Sequence, residues 1–159
     1  MNQNVEYQYG IKIEKKVIDF LGLTPSSKED NINLDIDAWD SDEFSYSIKC
    51  QHTALKTGNL AFELVTTDKT GKSKPSWFKT GRADTYLIVV GNALYAIDRN
   101  VLSEYVREYG WDRVVGLTLK TQQSQQDIGH SHVDAKLGII SIKQLKKSDL
   151  IIKEWTLPF

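Results

Sequence analysis

An α/β domain built on a mixed sheet is the fold class that this 159-residue chain predicts, with an α+β arrangement left open. Three observations predict it. Residues 33–39 and 44–50 alternate apolar and polar side chains, as half-buried strands do. DTYLIVV at 84–90 is a nearly continuous apolar run, the pattern of a central strand covered on both faces. Residues 11–23 and 101–109 carry apolar side chains at helical spacing. Helices scattered among strands, without an internal repeat, argue for a single domain over 1–159. Its core runs from 11 to 109, and a C-terminal extension of unassigned role covers 110–159.

Ile11 to Leu23 reads as an amphipathic helix with Ile13, Val17, Phe20 and Leu21 toward the core, stopped by Gly22 and Thr24-Pro25. Glu14 sits at the edge of that stripe. Ser26 to Asn33 is polar and reads as a loop. In the next stretch Leu34, Ile36 and Ala38 point one way, and Asp35, Asp37 and Trp39 the other. Asp40 to Glu43 is a turn. Phe44, Tyr46, Ile48 and Cys50 then share one face, opposite Ser45, Ser47 and Lys49. The two runs read as a hairpin. Pairing Asp40 with Phe44 sets Asp37 opposite Ser47 and Asp35 opposite Lys49, and gathers the polar groups on one face.

A loop ending in Thr57-Gly58-Asn59 leads to a third strand from Leu60 to Thr66, with Ala61, Glu63 and Val65 on one side. Thr67 to Gly81 is basic and turn-rich and carries Trp77 and Phe78. Gly91-Asn92 turns the buried strand back into a short one at 93–97, and the second helix ends at Gly110. Val114 to Lys120 reads as a strand, 121–132 as a glutamine-rich loop, 137–142 as an apolar segment, and the remainder as a short helix and a last strand.

Composition narrows the function classes. The chain is 40% hydrophobic and 26% charged, ordinary for a globular domain. Its one cysteine, Cys50, excludes an intrachain disulfide. No apolar run approaches the roughly 20 residues that span a bilayer, and MNQNVEYQYG lacks a secretory core. A cytoplasmic protein without membrane association is expected. The net charge of −1 makes no bulk case for a polyanionic partner. The distribution says more. Glu29, Asp30, Asp35, Asp37, Asp40, Asp42 and Glu43 crowd 28–43. Lys49, Lys56, Lys69, Lys72, Lys74, Lys79 and Arg82 follow, against Glu63 and Asp68 alone. An acidic patch beside a basic one suits a cation site next to a phosphate-binding surface. Two solvated faces would give the same pattern.

Aspartates are disfavoured in strands, so Asp35 and Asp37 on one strand face argue for chemistry. Mg²⁺ takes oxygen ligands, usually one or two carboxylates with water and substrate phosphate. Hydrolysis of a phosphodiester needs an acidified water and positive charge on the phosphate. Asp37, a neighbouring acid and Lys49 would supply that set. His130 and His132, with Asp127 and Asp134, form a weaker metal candidate in a polar loop. Cys50 falls on the apolar face and reads as core. Trp77 and Phe78 suit either base stacking or packing.

A glutamate on the first helix, an aspartate before a turn and a strand ending x-I-K resemble the PD-(D/E)xK nuclease superfamily. KTGNLAFE and GKSKPSWFKTGRADTYLIVV are similar to stretches of its phage-type and Holliday-junction-resolvase-like members. The resemblance covers about 11–105. It implies a restriction-endonuclease-like core and a metal-dependent endonuclease acting on DNA. Mg²⁺, or Mn²⁺ in its place, would be held by Asp37 and Glu63, with Asp35 as the alternative aspartate. Lys49 would be the motif lysine, with Glu14 assisting. Lys56, Lys72, Lys74, Lys79, Arg82 and Gln51 would contact nucleic acid. A homodimer and a phage or mobile-element origin also follow from the family. One departure stands out: Ser47 occupies the position of the acid two residues before the lysine. Either Glu63 or Glu14 completes the site, or the fold serves as an inactive module that binds nucleic acid or a host protein.

Overall fold

The computed structural model describes residues 3–118 and 132–159. The first half comprises α1 (Gln3–Leu21), β1 (Thr24–Pro25), α2 (Lys28–Leu34), β2 (Ala38–Trp39), β3 (Ser45–Cys50), α3 (Ala54–Thr57), β4 (Asn59–Asp68), β5 (Ser73–Pro75) and α4 (Trp77–Thr80). The second comprises β6 (Thr85–Val90), β7 (Ala93–Asp98), α5 (Arg99–Tyr109), β8 (Arg113–Thr118), β9 (His132–Ser141), α6 (Ile142–Lys147) and β10 (Ile151–Thr156). The strands form a six-stranded sheet, ordered β1-β2-β3-β6-β7-β10, and a four-stranded sheet, ordered β5-β4-β9-β8. The expected α/β class with a mixed sheet holds: β3 and β6 run parallel, and their other neighbours are antiparallel.

The apolar run at 84–90 is the centre of the large sheet. Every residue of β6 is buried, and its side chains alternate between two cores. Leu87 and Val89 pack with Ile13, Val17 and Ile18 of α1. Tyr86, Ile88 and Val90 pack with Leu60 and Phe62 of β4 and Leu102 of α5. A continuous apolar strand is what such two-sided burial requires. No described helix is long and apolar enough to cross a membrane.

Several expectations are corrected. The polar stretch at 26–33 is largely helical: Ser27 caps the amide of Asp30, and Glu29 and Asp30 favour the positive end of the α2 dipole. Leu34 closes that helix and Asp35 takes the left-handed conformation at φ 54°, so the first hairpin strand shrinks to β2. Its register is nonetheless the expected one, with Ala38 opposite Tyr46 and Trp39 opposite Ser45. The turn is held by Asp40, which accepts from the amides of Asp42 and Phe44 and from the Tyr46 hydroxyl. Phe20 and Phe44 are exposed; Ile13, Val17 and Leu21 keep their expected places against the core, and Ile18 joins them in place of Phe20.

Glu63 belongs to the second sheet, not to a neighbour of β3 in the first. One side chain ties the two sheets together. The Gln51 amide donates to the carbonyl of Ala61 and accepts from its N–H, each at 2.8 Å, and so stands in for a strand partner where β5 does not reach. Both ends of its amide are thus engaged by the backbone, while the residue also lines the groove beside Lys49. Gln51→Met keeps the volume and removes both bonds. It is expected to cost about 1–3 kcal/mol for each backbone group left unpaired, read as a lower denaturation midpoint.

Candidate active site

Four segments converge at one end of β3: the middle of α1, the left-handed end of α2, the approach to β2, and β3 itself. They carry Glu14, Asp35, Asp37 and Lys49. Along β3, Tyr46, Ile48 and Cys50 turn to the α1 core, which leaves Ser45, Ser47 and Lys49 on the opposite face. Ser47 is fully buried there and donates to Asp35 Oδ2 at 3.0 Å. Lys49 Nζ lies 2.8 Å from Asp35 Oδ1 and 4.5 Å from the centre of the Trp77 ring. The expected pairing of Asp35 with Lys49 is thus real, although Asp35 reaches it from a helix terminus rather than from a strand.

Asp37 is 8% exposed and is held by two donors: the N–H of Ile48 at 2.6 Å and the Asn31 side-chain amide at 2.5 Å. Gly81 lets the chain pass beside Asp35, because a Cβ there would stand 2.6 Å from the Trp77 carbonyl oxygen and 3.4 Å from Asp35 Oδ2. Asp84 anchors the base of β3 by accepting from both the N–H and the hydroxyl of Ser45. These contacts explain the T-G-R-A-D segment in structural terms: it passes Asp35 closely and clamps the strand that carries Lys49.

The carboxylates disturb one another. Burial, then repulsion from Asp37, pushes Glu14 up to about 7; Lys49 opposes this and Asp35 adds to it. Burial likewise raises Asp37, against the Ile48 amide and Lys49, with Asp35 again repelling. Burial and the same two acids, Glu14 and Asp37, push the Cys50 thiol up to about 11, so it rests as a core-like thiol and not a nucleophile. Perturbed carboxyl groups in a cleft mark functional sites.

The raised Glu14 value has a consequence for stability. Between the ordinary carboxyl value of 4.5 and about 7 the folded chain keeps a proton that the unfolded chain has lost. That contribution is complete below 4.5 and is lost as pH rises through 7. Glu14→Gln is expected to flatten this fall, measured as melting temperature from pH 4.5 to pH 8; an unchanged slope would mean that Glu14 titrates normally.

Two grooves flank the Asp35–Lys49 pair, and Trp77 forms a wall of both. One, of about 450 Å³, is lined by Glu14, Lys49 and Cys50 among others. The other, of about 300 Å³, holds Asp35, Asn31, Glu63, Lys74 and Ser76. Glu63 accepts from the Ser76 hydroxyl. It shares that groove with Asp35, whereas the charges that act on Glu14 are those of Asp37, Lys49 and Asp35. Of the basic residues expected to track a polyanion, Lys74 lines the second groove, and Lys72, Lys79 and Arg82 are exposed on the same connection. Lys56 is exposed on α3 and borders neither groove. Trp77 and Phe78 start α4 and pack against Phe62. Asp127 and His130 lie outside the described residues; Asp134 is exposed on β9.

Among the described residues no group of three or more His, Cys, Asp and Glu side chains is placed to hold a metal ion. A hydrated Mg²⁺ needs only one or two carboxylates. Each oxygen of Asp37 accepts one hydrogen bond and so keeps a lone pair, and Glu14 resists ionisation because it is buried and faces Asp37. That donor set fits a water-rich hard cation and not a closed protein cage.

No family model matches the chain, and no curated protein matches its sequence. Asn31, Ser76 and Gly81 carried no expectation from sequence. The helix signal Ser27-x-x-Asp30, weighed against the alternation at 33–39, would have brought Asn31 within reach of Asp37.

Proposed function

We propose that the chain is a metal-dependent nuclease that cleaves phosphodiester bonds, with DNA as its substrate. The observation that carries the reading is the convergence of Glu14, Asp37 and the Asp35–Lys49 pair, with Glu14 raised to about 7 by burial and by its neighbours. Glu14 and Asp37 would hold Mg²⁺ or Mn²⁺, which when bound supplies an acidified water and charge for the phosphate. Lys49 places an ammonium group at the mouth of the site, where it meets the negative charge that develops on the phosphate. Asp35 and the Trp77 ring aim that group, and Ser47 orients Asp35. Lys72, Lys74, Lys79 and Arg82 would contact the nucleic-acid backbone.

A second reading is favoured by one feature. Both oxygens of Asp35 are already engaged by Ser47 and Lys49, as they would be in a fold retained only for binding. Supercoiled, linear and branched DNA incubated with the chain in Mg²⁺, Mn²⁺ or chelator separates the two. Cleavage that needs metal and falls at least a hundredfold in Asp37→Asn supports the nuclease. Metal-independent binding without cleavage supports the module. Cleavage that survives both Asp37→Asn and Lys49→Ala would sink the site assignment.

A further inference from the structure

We propose that the groove beside Asp35 receives an unpaired nucleobase and recognises its exocyclic amino group, with Glu63 as the acceptor. This rests on the nucleic-acid reading above and adds what the second groove selects. Glu63 is half-buried on β4, and Ser76 occupies its Oε1. Among the described residues no cation pairs with it. Asp35, in the same groove, is neutralised by Lys49, so Glu63 supplies the uncompensated charge.

A carboxylate repels phosphate, so the phosphate backbone stays at the rim and does not enter the groove. What a carboxylate accepts is an N–H or O–H; cytosine, adenine and guanine offer an exocyclic amino group for this. Unpaired thymine and uracil carry their one ring N–H between two carbonyl oxygens, and those oxygens repel a carboxylate that approaches it. The groove is concave and, at about 300 Å³, sits at the small end for a ligand pocket. It therefore suits an inserted base rather than the flat edge of a paired one. The indole of Trp77 supplies an aromatic wall, and Lys74 at the rim stands ready for the phosphate attached to that base. Because Trp77 also borders the groove that holds Glu14, a strand with its base in this pocket lies across the Asp35–Lys49 pair.

The test is binding of short labelled single strands of dC, dA and dT, and of a duplex, to the full chain in chelator, followed by fluorescence anisotropy. The single strands of dC and dA are expected to bind about tenfold more tightly than dT. Glu63→Gln is expected to erase most of that preference while leaving dT binding equal or stronger, since a negative charge is removed. A merely structural role for Glu63 would weaken all strands alike. Equal affinity for dC and dT, or a parallel loss in Glu63→Gln, overturns the base pocket alone. Absence of binding to every strand and to duplex overturns the nuclease reading together with it.

Discussion

Lys49→Ala is expected to lower single-turnover cleavage by about a hundred- to a thousandfold, the usual loss when one positioned charge is taken from a developing oxyanion. The fold should survive. The Lys49–Asp35 pair has about a fifth of each side chain exposed, so its contribution is that of a screened pair, about 1 kcal/mol or less. The Trp77 contact adds about 0.5–1 kcal/mol. A large kinetic loss beside a small shift in melting temperature is therefore the signature sought. Lys49→Arg should keep a cation beside Asp35 and the indole, because a guanidinium pairs with a carboxylate and stacks on an aromatic face, and so should recover part of the loss. A Lys49→Ala protein that cuts within threefold of the parent would remove lysine from the mechanism.

Phe62→Ala is expected to be the most damaging single change to stability. Phe62 is fully buried on β4, with the rings of Trp77, Phe78, Tyr86 and Trp111 centred 5.5–5.7 Å from its own. Truncating such a residue costs about 3–5 kcal/mol, from lost transfer energy and the cavity left behind. Typical domains have only about 5–15 kcal/mol in total. The neighbours are rings on α4, on β6 and in the connection between α5 and β8, so they cannot slide in to close the space. Trp77 leans on Phe62, and both grooves should widen as well. The measurement is the urea midpoint at constant m-value; a loss below about 1.5 kcal/mol would mean that the cluster collapses around the gap.

The strands with strong patterns were legible from sequence: β6 through its unbroken apolar run, and the β2–β3 register through the need to keep Ser45, Ser47 and Lys49 off the α1 core. The start of α2 was not, because alternation at 33–39 and the cap at Ser27 point to different structures, and the cap prevails up to Leu34. Asp35 and Lys49 were legible as partners for a reason that proved incidental, since strand register and a left-handed helix terminus deliver the same contact. The place of Glu63 was not legible at all. Alternation assigns a face within a sheet, but it carries no information about which of two sheets a strand joins. The duty of Gln51 was hidden likewise, because its partner is the backbone of Ala61, which has no sequence signature.

The parallel contact between β3 and β6 has a kinetic consequence. Parallel neighbours demand a crossover, and here the crossover holds α3, β4, β5 and α4, most of what separates Gln51 from Asp84. β4 in turn pairs with β9, far along the chain. Closing so long a loop costs entropy before the pairing repays it, which slows the search. The β6–β7 hairpin is local and can form early, whereas Lys49, Trp77 and Gly81 meet only once the crossover has settled. Recovery of the indole environment on refolding should therefore lag behind recovery of sheet content.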